Sequence, residues 1–379
     1  MTLRPGPRIV AALDSFKGSV TSAQACAAVR EGVLRAVPDA VVTVVAVAGV
    51  GRGGVVQTVD LLGRPLAAGH LVLHHAAVVE SATTVGLALL GEASPSAARL
   101  AHSYGLGLQM ARVAASGGAA RLLVGLGGTG CTDGGTGALL ALGACMWDAS
   151  GAELFAGGAV PTANPLLARP VRVELPSALP CAVIGLADVS SPLLGPSGAA
   201  RMFGPQKGAN PALVEELESA MEGWAAALRE AGADASEVPG AGAAGGVGAA
   251  LLAIGGSIEP GLQRIVAETG AGVTLAQADL VITGEGSLDA QTGLGKVPDA
   301  IARMAKAGAR EEGGPVVIAL AGRVEGDAHG AIDAAYCIHS RPRPLAEAMD
   351  PVVTLAELSA TAERVVREWM AGTTASPGT

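Results

Sequence analysis

Aromatic residues are nearly missing from this chain of 379 residues, where Phe, Trp and Tyr together make up 2%. Packing must therefore rest on small and β-branched side chains. Half of the residues are hydrophobic, which is ample for sizeable cores. Positive charge is also short: 25 Lys and Arg face 34 Asp and Glu, a net charge of −9. A nucleic-acid binder presents a basic face with aromatic platforms, and the absence of both removes nucleic acid as an expected partner. The one long uncharged stretch, Val238 to Ile258, contains seven glycines and Pro239. It reads as a Gly-rich loop with a short buried helix rather than a membrane span. The opening MTLRPGPRIVAALDSF meets a charge before any apolar core forms, so no secretory leader is expected. The five cysteines, Cys26, Cys131, Cys145, Cys181 and Cys337, are scattered, odd in number and never CxxC. Free thiols in a reducing, cytoplasmic setting are expected, and no zinc site. No Walker-A GxxxxGK[ST] exists, so any ATP site uses another loop design.

Glycine is abundant, with 55 residues, many beside apolar runs. Such clustering marks tight strand-to-helix turns. The apolar run Arg8 to Leu13, the turn DSFKGS, a helix pattern from Ser22 to Val37 and the Val-rich run Ala40 to Ala48 make a βαβ unit. Thr21 and Gln24 have capping-box spacing at that helix, as do Thr354 and Glu357 in the last one. Further strands are expected at Leu71–Val79, Arg121–Leu126, Val171–Leu175, Cys181–Leu186, Ala278–Thr283, Val316–Ala321 and Ala334–His339. Helices are expected at Ser96–Ser116, Thr136–Leu142 and Pro211–Glu230, and from about Pro298. Both chain ends share a strand, loop, helix rhythm, while the middle is richer in glycine. The expected fold is α/β with two domains. Residues 1–55 and 270–379 form a Rossmann-like parallel-sheet domain, and residues 56–269 an inserted α/β domain, with ligand in a cleft between them.

Four aspartates share a setting. Asp14 ends IVAALD, Asp188 ends CAVIGLAD, Asp133 lies just past LLVGLGG, and Asp289 just past LVITGEG. In open α/β sheets ligands bind beyond the carboxyl ends of strands. Any one such Asp commonly caps a helix or braces a turn, but four in one setting point to chemistry. Phosphoryl transfer needs carboxylates for Mg²⁺ and for the hydroxyl proton, and cationic donors for phosphate oxygens. Lysine is scarce, yet Lys17, Lys207 and Lys296 all sit in Gly-rich loops. The GxGxxG matches at Gly49–Gly54 and Gly125–Gly130 lack the helix, strand and distant acid of a dinucleotide fingerprint.

The chain resembles the glycerate kinase family along nearly its whole length. The resemblance is carried by DSFKGS (Asp14–Ser19), GGTGCTDGGTGALLALGA (Gly127–Ala144), ADVSSPLLGPSGAARMFGPQKGA (Ala187–Ala209), GAGAAGGVGAALLA from Gly240, and ADLVITGEGSLDAQTGLGKVP (Ala278–Pro298). It implies ATP-dependent phosphorylation of D-glycerate, with Mg²⁺ as cofactor, between two α/β domains. Matched positions are Asp14, Ser15, Lys17, Asp133, Asp188, Glu285, Asp289 and Lys296. Asp188 and Asp289 are the expected proton acceptor and metal ligands, and Lys17 and Lys296 the expected anion contacts. Lys207 is added as a further cation.

The chain also departs from the family pattern. The family's ADGGEGT reads here AGVGRGG, Ala48 to Gly54, so Gly49 and Arg52 replace acids. Its TSxGTG reads HSYGLG, His102 to Gly107, and Ser191 replaces an Asn. Such a charge change alters affinity for Mg²⁺ or an anion in a low-dielectric cleft. Three readings compete: a glycerate kinase, a kinase of a more anionic hydroxy acid clamped by Arg52, and a non-catalytic relative. The partners are a small hydroxy acid and ATP, and the sequence leaves the oligomeric state open.

Overall fold

A computed structural model of the chain describes residues 6–16, 18–45, 52–73, 75–289, 297–307, 314–326 and 330–372. The chain begins with β1 (Arg8–Leu13) and β2 (Val41–Val44). It continues through β3 (Arg52–Val59), β4 (Pro65–Val72), β5 (Ala76–Glu80), β6 (Arg121–Gly125), β7 (Cys145–Trp147), β8 (Glu153–Leu154), β9 (Arg172–Glu174), β10 (Ala182–Leu186) and β11 (Ser257–Glu259). It ends with β12 (Leu280–Leu288), β13 (Val316–Val324) and β14 (Ala334–Cys337). Two compact units result: Met1–Val50 with Ile265–Thr379, and Gly51–Arg264.

The first unit is a parallel sheet of order β14-β13-β12-β1-β2. Its central strands β1, β12 and β13 are largely buried apolar runs, as a sheet covered on both faces requires, while the edge strands β2 and β14 are partly exposed. On one face lie the helices Ser22–Ala36 and Pro351–Met370. They approach closely because Gly32 has no side chain; a Cβ there would stand 2.1 Å from the Ser359 carbonyl oxygen. The first helix is capped as its sequence predicts, with Thr21 accepting from Gln24 N and the Gln24 side chain reaching back. The last helix differs from its expected start. Its N-cap is Asp350, which accepts from Val352 N and Val353 N, with Pro351 in the first turn. Thr354 is thus inside the helix, and its hydroxyl is shared with Ser19.

The second unit holds a six-stranded sheet of order β11-β10-β6-β5-β4-β3. Strands β5, β6, β10 and β11 are parallel, and β3 and β4 form an antiparallel edge. A small antiparallel sheet, β8-β7-β9, lies apart. With so few aromatics, the core between the helices gathers around one of them, the fully buried Trp224, on the helix Pro211–Glu230. Asn210 caps that helix and Pro211 opens it.

Three further elements differ from the sequence-based expectation. The run Leu71–Val79 is two strands, because β4 pairs antiparallel with β5 and Leu73 N donates to the Ala76 carbonyl, with no Gly or Pro in the run to announce it. The expected helix Ser96–Ser116 is broken into Pro95–Leu100 and Tyr104–Ala115. The break has a clear cause: His102 N donates to the Leu61 carbonyl and Ser103 N to Asp133 Oδ2, so tertiary acceptors replace the helical ones. The Gly/Asp loop expected after Thr283 is instead strand to Leu288, paired with β13 through Glu285↔Ala321 and Leu288↔Val324. The stretch Val238–Ile258 contains the buried helix Ala243–Ala253. No helix among the described residues is long and apolar enough to cross a membrane.

Candidate active site

In the first unit the strand order reverses between β1 and β12. The chain leaves β1 towards β2 on one side, while β12, β13 and β14 step away on the other. A crevice opens beyond the carboxyl ends of strands at such a switch point. Leu13 is in register with Gly284, and Asp14 N donates to the Gly284 carbonyl at 2.9 Å. Asp14 and Glu285 are the next pair in that register, on strands about 4.8 Å apart, and Asp289 follows the end of β12. Asp14 Oδ1 accepts from Ser15 N at 2.6 Å, an Asx contact that turns the chain out of β1.

The DSFKGS loop is held firmly at its base. Phe16 and Val20 exchange backbone hydrogen bonds of 3.0 and 3.1 Å, and both are buried. Ser22 Oγ donates to the Leu13 carbonyl at 2.5 Å, and Ser19 Oγ lies 2.7 Å from Thr354 Oγ1. Lys17 and Lys296, the expected anion contacts, lie outside the described residues.

In the second unit the carboxyl ends of β5, β6 and β10 present Glu80, Gly127–Gly128 and Asp188, all exposed. The Asp188 carboxylate accepts through Oδ1 from Gly261 N at 3.1 Å, the start of the helix Gly261–Thr269. A helix N-terminus favours that negative charge. Among the described residues Oδ2 has no partner, so it is available to a proton, a metal or a donor.

Asp133 is different. It is fully buried, and it accepts from Ser103 N and Ser103 Oγ at 2.7 Å each, and from Gly135 N and Gly137 N at 3.2 Å each. Such a satisfied carboxylate braces the Gly-rich loop and has no surface for a ligand. In this structure Asp133, expected at the binding site, acts as a brace. Lys207 is likewise buried, its Nζ donating to Thr129 Oγ1 at 3.2 Å and to the Cys131 carbonyl at 2.6 Å. Burial pushes its ammonium below the usual lysine range, against the pull of Cys131 and Asp133. Burial also pushes the Cys131 thiol up, with Asp133 adding to it. Lys207, expected as a further binding cation, makes an internal tie across the Gly-rich loop.

Arg52 stands at the edge of the second unit's sheet. Its backbone opens β3, in register with Val72, then Ala77, then Leu122, at the amino ends of β5 and β6. Asp188 stands past the opposite, carboxyl end of β10, and β3 is four strands from β10, about 19 Å at the usual spacing. Within this unit Arg52 and Asp188 are not brought together. Gly49, the other altered position, lies outside the described residues.

Several residues escaped the sequence reading. The segment Gly240–Gly246 packs into the Gly-rich loop, and Gly134 N donates to the Gly245 carbonyl at 3.0 Å. Gly245 has φ +73° and a Cβ there would stand 2.2 Å from the Cys131 carbonyl oxygen, so only glycine fits. Trp224 Nε1 donates to the Gly134 carbonyl at 3.0 Å. Glu218, a carboxylate on the buried face of its helix, accepts from Gly195 N at 2.7 Å and holds the loop that follows Asp188. The signal for Glu218 was present: an acid in the apolar stripe Leu213, Leu217, Met221, Trp224. Among the described residues no three His, Cys, Asp or Glu side chains form a metal-binding group.

Open parallel sheets with exposed acids and glycines at their carboxyl ends define an α/β enzyme of the small-molecule-binding kind. The family model described as Glycerate kinase family matches residues 9–370. The glycerate 2-kinase of Escherichia coli (strain K12) is 34% identical over 317 residues, 79% of this chain and 82% of that protein. The glycerate kinase of Halalkalibacterium halodurans is 33% identical over 386 residues, 95% of this chain and 98% of that protein. The crystal structure of a glycerate kinase 2 from Salmonella typhimurium LT2 superposes with a TM-score of 0.80 at 30% identity, over 98% of this chain and 100% of that one. The chain belongs to the glycerate kinase family, and it is a kinase.

Proposed function

We propose that this kinase moves a phosphoryl group from ATP to a hydroxyl of D-glycerate, with Mg²⁺. The observation that carries the reading is the Asp188 carboxylate. It is exposed beyond a parallel strand, steadied by one backbone N–H, with its second oxygen open. A carboxylate so held can accept the hydroxyl proton as the oxygen attacks phosphorus. Glycerate comes from the names of the relatives, several of which are glycerate kinases.

The first unit offers carboxylates of the kind Mg²⁺ takes, though among the described residues no three of them form a ready metal group. Asp14, Glu285 and Asp289 are hard oxygen donors at one strand-end crevice, and Mg²⁺ takes only one or two carboxylates beside phosphate and water. Asp289 is assigned to the ion, which would neutralise charge on the phosphate oxygens. Lys17 and Lys296 are assigned to anion oxygens, as their loop positions suggest. The five cysteines are free thiols, in keeping with a cytoplasmic enzyme. A more anionic hydroxy acid, clamped by Arg52, is the alternative substrate.

An ADP-coupled screen across D-glycerate, tartronate and malate tests the reading. Mg²⁺-dependent ADP release with D-glycerate is expected. No release with D-glycerate, together with no ATP binding by calorimetry, would sink it.

A further inference from the structure

The connection after β14 carries a side-chain cluster that the reading above does not use. In a parallel sheet this connection lies on the carboxyl, ligand side. It is tightly anchored: Ile338 N donates to the Ala321 carbonyl at 2.8 Å, and Thr361 Oγ1 donates to the Ile338 carbonyl at 3.2 Å. Next comes His339, whose side chain is only 12% exposed.

Glu357, on the last helix, organises the surroundings. It accepts from Ser340 N at 3.0 Å and from Arg343, and its Oε2 lies 3.7 Å from His339 Nδ1. Burial works to raise its carboxyl, but the Arg343 and Ser340 hydrogen bonds, with the charges of Arg343 and His339, outweigh it and hold the group below the usual range. Glu357 is therefore an anion facing the ring. Arg343 is shared with Glu347, and Cys337 Sγ donates to the Gly322 carbonyl.

The other side of the ring faces bare backbone. His339 Nε2 lies 3.7 Å from the place a Cβ on Gly322 would occupy, and that same place is 2.9 Å from the Gly286 carbonyl oxygen. Gly286 directly follows Glu285 in β12. Among the described residues neither ring nitrogen makes a hydrogen bond. The buried nitrogen without a partner is Nδ1, which faces Glu357, while Nε2 has no hydrogen-bond partner among the described residues and is left for a ligand.

We infer that His339 is an oxyanion-binding residue of the first unit: its Nε2–H donates to a phosphate or carboxylate oxygen of a bound substrate, and Glu357 is the positioning residue that fixes the ring. The inference rests on the kinase reading, since the oxyanion is either a nucleotide phosphate or the carboxylate of the hydroxy acid. A bond from Nε2–H to an oxyanion is charge-assisted by the ligand's charge, and so stronger than a neutral one.

The test separates the two sources. His339→Ala should raise the KM for one substrate about tenfold, with kcat changed less. A rise for ATP assigns the phosphate, and a rise for D-glycerate assigns the carboxylate. His339→Gln keeps an amide N–H near the Nε2 position and should recover part of the loss. Glu357→Gln should raise the same KM by about threefold and leave the other alone. Imidazole ¹⁵N spectra give a readout free of turnover. The His339 signal, assigned by its loss in His339→Gln, should move on adding ATP, D-glycerate or inorganic phosphate. The inference is overturned if His339→Ala leaves both KM values within about twofold of wild type, or if that signal moves with none of the three. Should the wild-type chain turn nothing over, the kinase reading fails on its own, and the phosphate titration still decides the role of His339.

Discussion

The loops after β6 and β10 leave neighbouring parallel strands in the same direction, and each carries an aspartate. One is sealed and the other open. Asp133 sits among four internal donors and is inaccessible, whereas Asp188 has one donor and faces solvent. A strand-end position therefore brings an acid to the ligand side without making it a ligand contact. What decides is how many internal N–H and O–H groups claim the carboxylate. The Gly-rich loop has many loose N–H groups because its glycines abandon regular structure, and Asp133 collects them.

This contrast can be broken or sharpened by substitution. The largest effect belongs to Asp188→Asn, which keeps an acceptor for Gly261 N but removes the base. It should lower kcat about 10³-fold with an unchanged melting temperature, read in the ADP-coupled assay and by calorimetry. If Asp188→Asn keeps activity, the open carboxylate is only a helix cap. Asp133→Asn should act the other way, costing roughly 3 kcal/mol of stability, several degrees in Tm, with activity lost only as the fold is lost. A stable but inactive Asp133→Asn would reverse the comparison. Lys207→Met leaves the Cys131 carbonyl and Thr129 hydroxyl without their donor, so a loss of about 2 kcal/mol is expected in urea unfolding. An unchanged midpoint would mean that relief of the buried charge offsets it. The smallest effect is pH-dependent. Burial pushes His102 below its usual 6.5, against the pulls of Asp133, the Pro161 backbone and Asp60. The unfolded ring gains a proton as pH falls through 6.5, and the folded ring only at lower pH. Stability is therefore full above 6.5 and declines below it, by at most about 1.4 kcal/mol per pH unit. His102→Gln should flatten that decline in melts at about pH 7 and about pH 5, and an unaltered slope would assign it to other groups.

Much of the fold was legible because the deciding interactions are local. The helices Ser22–Ala36 and Pro211–Glu230 declare themselves through caps and periodicity, and the parallel strands through unbroken apolar runs. The broken helix at Ala101–Ser103 was not legible. Its cause is the competition of Leu61 and Asp133 for two backbone donors, and neither acceptor is near in sequence. The strand end at Leu288 was missed because GEGSL has turn composition, and pairing with β13 overrides that preference. Family motifs pointed to the strand-end loops but could not separate exposed acids from braces. Asp133, Lys207 and Asp188 all lie in such motifs, and only their donors, acceptors and exposure distinguish them.

The central position of β1, between β2 and β12, bears on how the protein is made. Ile9 pairs with Leu280, so β1 waits for a partner synthesised some 270 residues later. At about 5–20 residues per second, that delay is roughly 15–50 s. The second unit has all its strand partners by Glu259 and can assemble meanwhile. The apolar edge of β1 and β2 is exposed throughout the interval. In the cell this region, rather than the catalytic loops, is where aggregation and chaperone binding should concentrate.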